Sequence, residues 1–285
     1  MLFVDALDRY KNYLKGIDRS KSTVEGYFLD LNFFIKWLEE KYNCVAFLED
    51  VTLEDVEDFL NMLKNERNYK PASRRRVSTA IKLFYKFAYK KKLCLDDFAS
   101  QIESIKVVTQ ERQYLTEKEV YDFLGAIEHK LAKVCILTMY YAGLRVSECI
   151  NLKTKDVDFE KKIIRVIEGK GQKNRNVPIC EKLLLVLEDY FRWRQTSTDY
   201  VFGTKKTGTL SKTRLQALIR ETRKKLGIEK QITPHMFRHS FASRLVAKNV
   251  NIVSISKLLG HSDLKVTSTY THASMQQLQE AVNEM

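Results

Sequence analysis

Apolar positions recur at helical spacing through the first hundred residues. Phe3, Ala6, Leu7, Tyr10 and Leu14 form one stripe. Tyr27, Leu31, Phe34, Ile35 and Leu38 form another within Thr23 to Glu40, and Leu53 to Leu63 and Ala72 to Tyr89 repeat the pattern. Each segment is apolar on one face and polar on the other, which predicts a domain of four or five packed helices. The stretch Lys70 to Lys92 adds a second feature. It holds nine basic residues, among them Lys70, Arg74, Arg75, Arg76 and Lys82, and no acid. Val77, Ile81, Phe84, Tyr85 and Phe87 can face a core while the basic side chains meet phosphates. A merely solvated face usually mixes both signs, so phosphate contact is the favoured reading.

The pattern changes after residue 101. Residues 102–113 lack a sustained period and read as a linker, with a boundary near 108 and domains at 1–107 and 108–285. Thr116 and Glu119 then form a T-x-x-E capping box that opens a fresh helix. Helices are predicted at about 117–129, 132–142 and 147–152. Three short alternating segments follow at 156–159, 163–167 and 175–179, separated by turns at 160–162 and 169–174. Helices return at about 181–195, 211–226, 234–247, 251–260, 263–270 and 274–284. The fold class is therefore mainly α with a small β-sheet.

Charge narrows the partner. The formal net charge is +13 over 285 residues. Residues 1–110 carry 19 Lys+Arg against 17 Asp+Glu, and the remaining 175 carry 30 against 19. An excess of this size points to a polyanion, most often nucleic acid. No apolar run reaches the ~18 residues that span a bilayer. Asp5, Asp8 and Arg9 are unlike a secretory leader. The expectation is a cytoplasmic, nucleoid-associated protein with no membrane contact. The five cysteines, Cys44, Cys94, Cys135, Cys149 and Cys180, include no C-x-x-C pair and read as free buried thiols.

Several chemistries find no support. Residues 203–209 (GTKKTGT) only loosely echo a phosphate-binding loop, and no G-x-G-x-x-G opens a helix after a strand. His235 and His239 lie four apart on a predicted helix, but no H-E-x-x-H is present. Neither a cofactor nor a metal is expected.

Four strings carry more together than apart: A-G-L-R-V-S-E at 142–148, G-K-G at 169–171, H-M-F-R-H at 235–239 and L-L-G-H at 258–261, with Tyr270 nine residues further on. In this order and spacing they resemble the tyrosine recombinases, also called phage integrases, and especially their short Xer-like members. The resemblance runs from about residue 3 to the end. It is most specific in the second half; Ser73 to Phe87 resembles the family's DNA-contacting helix. It implies an N-terminal helical, SAM-like core-binding domain and an α+β catalytic domain ending in an exchange helix.

The resemblance also implies roles. Arg145 and Arg238 clamp the non-bridging oxygens of a phosphodiester, as paired guanidinium donors suit that geometry. Tyr270 is the nucleophile. A phenol of pKa ~10 needs a base or a cationic surrounding to attack. His235 serves as proton acceptor or phosphate donor, and His261 binds the phosphate or positions its neighbours. Lys170, in a glycine-flanked turn, protonates the departing 5′ oxygen, with Lys173 a competing candidate. Glu148 supports the site by holding Arg145 or a neighbouring group. His239 reads as helix packing or support; His129 and His272 receive no role.

The implied partner is double-stranded DNA with paired inverted core sites, bound by a tetramer that assembles through the C-terminal helix, with accessory DNA-binding proteins possible. Met275, Leu278, Ala281, Val282 and Met285 form the apolar stripe that suits such docking. A topoisomerase of the same chemistry and a non-catalytic DNA-binding regulator are the alternatives. The lack of an additional N-terminal arm-binding domain favours an Xer-like task, resolving dimers or cointegrates, over that of the larger integrases.

Overall fold

The computed structural model describes residues 1–108, 114–167 and 174–260. The chain divides into two compact units, Met1–Gln110 and Glu111–Met285.

Among the described residues the first unit contains four α-helices: α1 (Phe3–Gly16), α2 (Lys21–Tyr42), α3 (Leu53–Asn65) and α4 (Pro71–Lys90). Their starts follow local chemistry. Ser20 accepts a hydrogen bond from the backbone N–H of Thr23, and Thr52 and Asp55 form a reciprocal capping box at α3. Pro71 occupies the first turn of α4, where its missing N–H is not needed. Helix α4 packs against the other three. Phe3, Phe34, Phe59, Phe84 and Tyr85 are fully buried there. Phe3 stacks on Phe84 with ring centroids 4.9 Å apart.

The second unit begins with α5 (Glu117–Gly125), α6 (Lys130–Ala142) and α7 (Val146–Ile150). The Thr116–Glu119 capping box forms as the sequence predicts. Strands β1 (Val157–Asp158), β2 (Ile163–Val166) and β3 (Arg175–Pro178) make an antiparallel sheet in that order. Val157 pairs with Ile164, Ile164 with Val177 and Val166 with Arg175. These residues share one face, because side chains alternate along strands and meet across them. Helices α8 (Glu181–Trp193), α9 (Lys212–Lys225), α10 (Pro234–Ala247) and α11 (Ile252–Leu259) complete the described part. Helix α6 is buried on almost every side, against α8 and α10. Helix α11 lies against α10 and β3.

The predicted mainly α class with a small sheet is the one observed. Two expectations change. The first strand shortens to two residues, since only Val157 and Asp158 find a partner on β2. All five thiols are free, but only Cys135 and Cys149 are buried. Cys44 sits in the bend after α2 and Cys180 at the start of α8, where chain direction rather than packing decides exposure. The predicted helices at 263–270 and 274–284, and residues 169–173 of the predicted turn at 169–174, lie outside the described residues. Among the described residues no helix is long and apolar enough to cross a membrane.

Candidate active site

Two glycines end the helices that frame the site. Gly143 caps α6 at φ +63° and Gly260 caps α11 at φ +65°, a left-handed conformation that glycine adopts without a Cβ penalty. At Gly143 the need is doubled, because a Cβ would clash with the ring of Phe241. The turn after Gly143 delivers Arg145 to the N-terminus of α7. Glu148, at the third position of that helix, accepts the backbone N–H of Arg145 at 2.7 Å.

Glu148 is the hub. Its side chain is 7% exposed and sits among three guanidiniums. Arg145 Nη1 donates to Oε1 at 2.6 Å. Arg175 donates from Nη2 to Oε2 at 2.7 Å and from Nη1 to Oε1 at 3.1 Å. Arg238 Nη1 lies 3.6 Å from Oε2.

Backbone carbonyls hold the other side of the same guanidiniums. Gly260 O accepts from Arg145 Nη2 at 2.8 Å, Gly143 O from Arg238 Nη1 at 2.8 Å and Leu259 O from Arg238 Nη2 at 2.6 Å. Leu258 O accepts from Arg175 Nε at 2.8 Å. These oxygens belong to the C-terminal ends of α6 and α11, where unsatisfied carbonyls carry the negative end of the helix dipole. The folded chain thus surrounds buried cations with oriented acceptors, which a buried charge requires.

His235 lies in the first turn of α10 and is exposed; Arg238 follows one turn later on the same face. His239 is half-buried on that helix. The structure therefore brings Arg145, Glu148 and Arg238 together and sets His235 on the helix that carries Arg238. Lys170, Lys173, His261 and Tyr270 lie outside the described residues. A cleft of about 490 Å³ opens beside Arg145 and Glu148 and includes Lys153, Lys155 and Arg165 in its walls.

Arg175 is the residue that sequence reasoning missed. The signal was present: Arg175 shares strand parity with the inward-facing Val177 and Ile179, so a charge was being directed into a core. His129, given no role from the sequence, caps α6 by accepting the Ala132 N–H at its Nδ1.

In the first unit, Lys70 immediately precedes α4 and is exposed, as are Arg75 and Arg76. Arg76 is paired with the buried Asp30 at 2.8 Å. Burial raises the Asp30 carboxyl above its ordinary pKa, and Arg76 opposes that rise. Lys82 donates to the carbonyl of Ile102 at 3.1 Å. Arg74 is half-buried, its Nε without a hydrogen-bond partner among the described residues.

A helical unit followed by an α+β unit built round clustered arginines is the architecture of the integrase class of enzymes. Residues 113–277 match the phage integrase family, and residues 7–92 match the phage integrase N-terminal SAM-like domain. The chain belongs to the phage integrase family and is a tyrosine site-specific recombinase. It is 34% identical over 283 residues to the tyrosine recombinase XerA of Pyrococcus horikoshii, covering 98% of this chain and 93% of that protein. Tyrosine recombinase XerD of Pasteurella multocida is 31% identical over 271 residues, covering 91% of this chain and 90% of that protein. The Tn1549 transposon integrase, solved with a circular intermediate DNA, matches with a TM-score of 0.79 over 98% of this chain and 99% of that one. Its 18% identity makes it a likeness of fold.

Proposed function

We propose that this recombinase cuts and rejoins double-stranded DNA through a 3′-phosphotyrosyl intermediate on Tyr270. The observation that carries the reading is the meeting of Arg145 and Arg238 on one buried carboxylate, Glu148. A buried carboxylate that holds guanidiniums in place preorganises donors for the charge that builds on a phosphate during attack. The Tyr270 oxygen attacks phosphorus and gives its proton to His235 or to solvent. The bond to the 5′ oxygen breaks, and Lys170 protonates that oxygen, with Lys173 the rival donor. The products are a 3′-phosphotyrosyl enzyme and a free 5′-hydroxyl. A 5′-hydroxyl from the partner duplex then attacks the same phosphorus and expels Tyr270, while His261 steadies the phosphate. One phosphodiester replaces another, so bond energy is kept and no nucleotide is consumed. Arg, Lys and His supply the charge that a metal ion would otherwise bring.

DNA is the partner that the DNA-bound state of similarly folded integrases supports. Lys70, Arg74, Arg75, Arg76 and Lys82 on α4 are the proposed phosphate contacts in the first unit, with Lys173 in the second. The domain division at 107/108, paired inverted core sites, tetramer assembly through residues 273–285, accessory proteins and a nucleoid location belong to the same reading. Relatives named XerA and XerD, matched over most of their length, favour resolution of DNA dimers or cointegrates. Integration and excision of a mobile element use the same steps.

The test is a nicked suicide duplex run on a denaturing gel. The wild-type chain is expected to form a covalent adduct, and Tyr270→Phe to form none while binding DNA nearly as well. An adduct with the phenylalanine variant would falsify the assignment of Tyr270.

A further inference from the structure

We propose that Arg175 is a positioning residue for strand transfer, acting through Glu148 to set Arg145 and Arg238; the inference rests on the reading above. The Arg175 side chain is 7% exposed. Its guanidinium meets both oxygens of Glu148, at 2.7 and 3.1 Å, in a fork that fixes the plane of the carboxylate. Arg145 reaches Oε1 with one nitrogen and Oε2 with its backbone N–H, and Arg238 lies 3.6 Å from Oε2. The terminal torsion of a glutamate is soft, and the Arg175 fork adds a second donor to each oxygen beside those that Arg145 supplies.

Its Nε bond to Leu258 O ties β3 to the end of α11, whose Leu259 and Gly260 carbonyls hold Arg238 and Arg145. One side chain therefore braces the carboxylate and the carbonyl ladder that both arginines use. Gly260 accommodates it: a Cβ there would lie 2.8 Å from Arg175 Nη1. Arg175, Arg145, Arg238 and Glu148 together carry two net positive charges. Attack by the tyrosine oxygen takes the phosphodiester from one negative charge toward two. A fixed field of that sign and size favours the transition state over the ground state.

The experiment uses the full chain and the nicked suicide duplex, measuring the single-turnover rate of adduct formation as DNA concentration is varied. Arg175→Met is expected to lower the rate at saturation by about 10- to 100-fold, the range for residues that orient reacting groups. The half-saturating DNA concentration should change little. In a Glu148→Gln background the same substitution should cost less than about 3-fold, because the carboxylate it acts through is gone. Equal factors in both backgrounds would mean that Arg175 is only a brace for the fold and would overturn the inference, as would an unchanged rate at saturation. Should Arg175→Met fail to fold, Arg175→Lys keeps the charge but cannot span both carboxylate oxygens. It is expected to lose at least about 5-fold at saturation, and a wild-type rate in it overturns the proposal. A wild-type chain that forms no adduct overturns the strand-transfer reading itself, and this inference with it.

Discussion

Replacing Glu148 by Gln should destabilise the second unit far more than any exposed charge change. Glutamine keeps the shape of the side chain but removes its charge. It also turns an NH2 group toward guanidiniums that have only N–H to offer. The side chains of Arg175 and Arg238 are 7% and 5% exposed, so water cannot take over the lost carboxylate's part. Removing one partner from a buried ion pair costs about 3–5 kcal/mol, since the remaining charge is left uncompensated. For a unit of this size 1 kcal/mol lowers the melting temperature by roughly 2–4 °C, so a fall of about 6–20 °C is expected. The chain has two tryptophans, Trp37 in the first unit and Trp193 in the second. In a Trp37→Phe background the fluorescence of Trp193, which packs edge-on against the buried Tyr190, reports melting of the second unit. Glu128→Gln is the control, because its partner Lys225 and Glu128 itself are largely exposed and such pairs contribute little. If Glu148→Gln melts within about 2 °C of the parent, the carboxylate does not hold the arginine cluster together, and the site must be rebuilt on other contacts.

Three further outcomes are expected. Lys170→Ala should block cleavage of a normal duplex and recover on a 5′-bridging phosphorothiolate, whose sulfur leaves without a proton; block and rescue in Lys173→Ala alone would move the role to Lys173. In gel-shift titrations over a salt series, Arg74→Ala/Arg75→Ala should reduce the slope of log affinity against log salt by about one per lost phosphate contact. An unchanged slope means that this face of α4 looks into solvent. The pair is a cleaner probe than a triple variant because Arg76 also neutralises Asp30. Deleting residues 273–285 should spare single-site binding and melting temperature but abolish cooperative two-subunit binding. Early melting with cooperativity retained would show that the segment packs on its own unit.

The amino-acid sequence by itself determined the described helices and, to within a residue or two, where they begin. An apolar stripe, a capping serine or threonine and a first-turn proline act within a few residues of one another. That is why the Thr116–Glu119 cap is legible without a fold, while the Ser20 and Thr52 caps and the first-turn prolines Pro71 and Pro234 act through neighbours just as close in the chain. The mainly α class with one small sheet followed from the same local patterns. Family resemblance named Arg145, Glu148 and Arg238, but no local pattern says that three arginines share one carboxylate. Tertiary structure alone decided this. The bond from Arg145 to Gly260 crosses 115 residues, that from Arg238 to Gly143 crosses 95 and that from Arg175 to Glu148 crosses 27. Such contacts exist only once β3, α7, α10 and α11 have been packed against one another. Exposed charges on α4 divided in the same way: Arg75 and Arg76 both stay exposed, but Arg76 is drawn to Asp30 on α2, 46 residues away. Periodicity assigns a residue to a face, but the partner a charge finds there is set by which element folding brings opposite it.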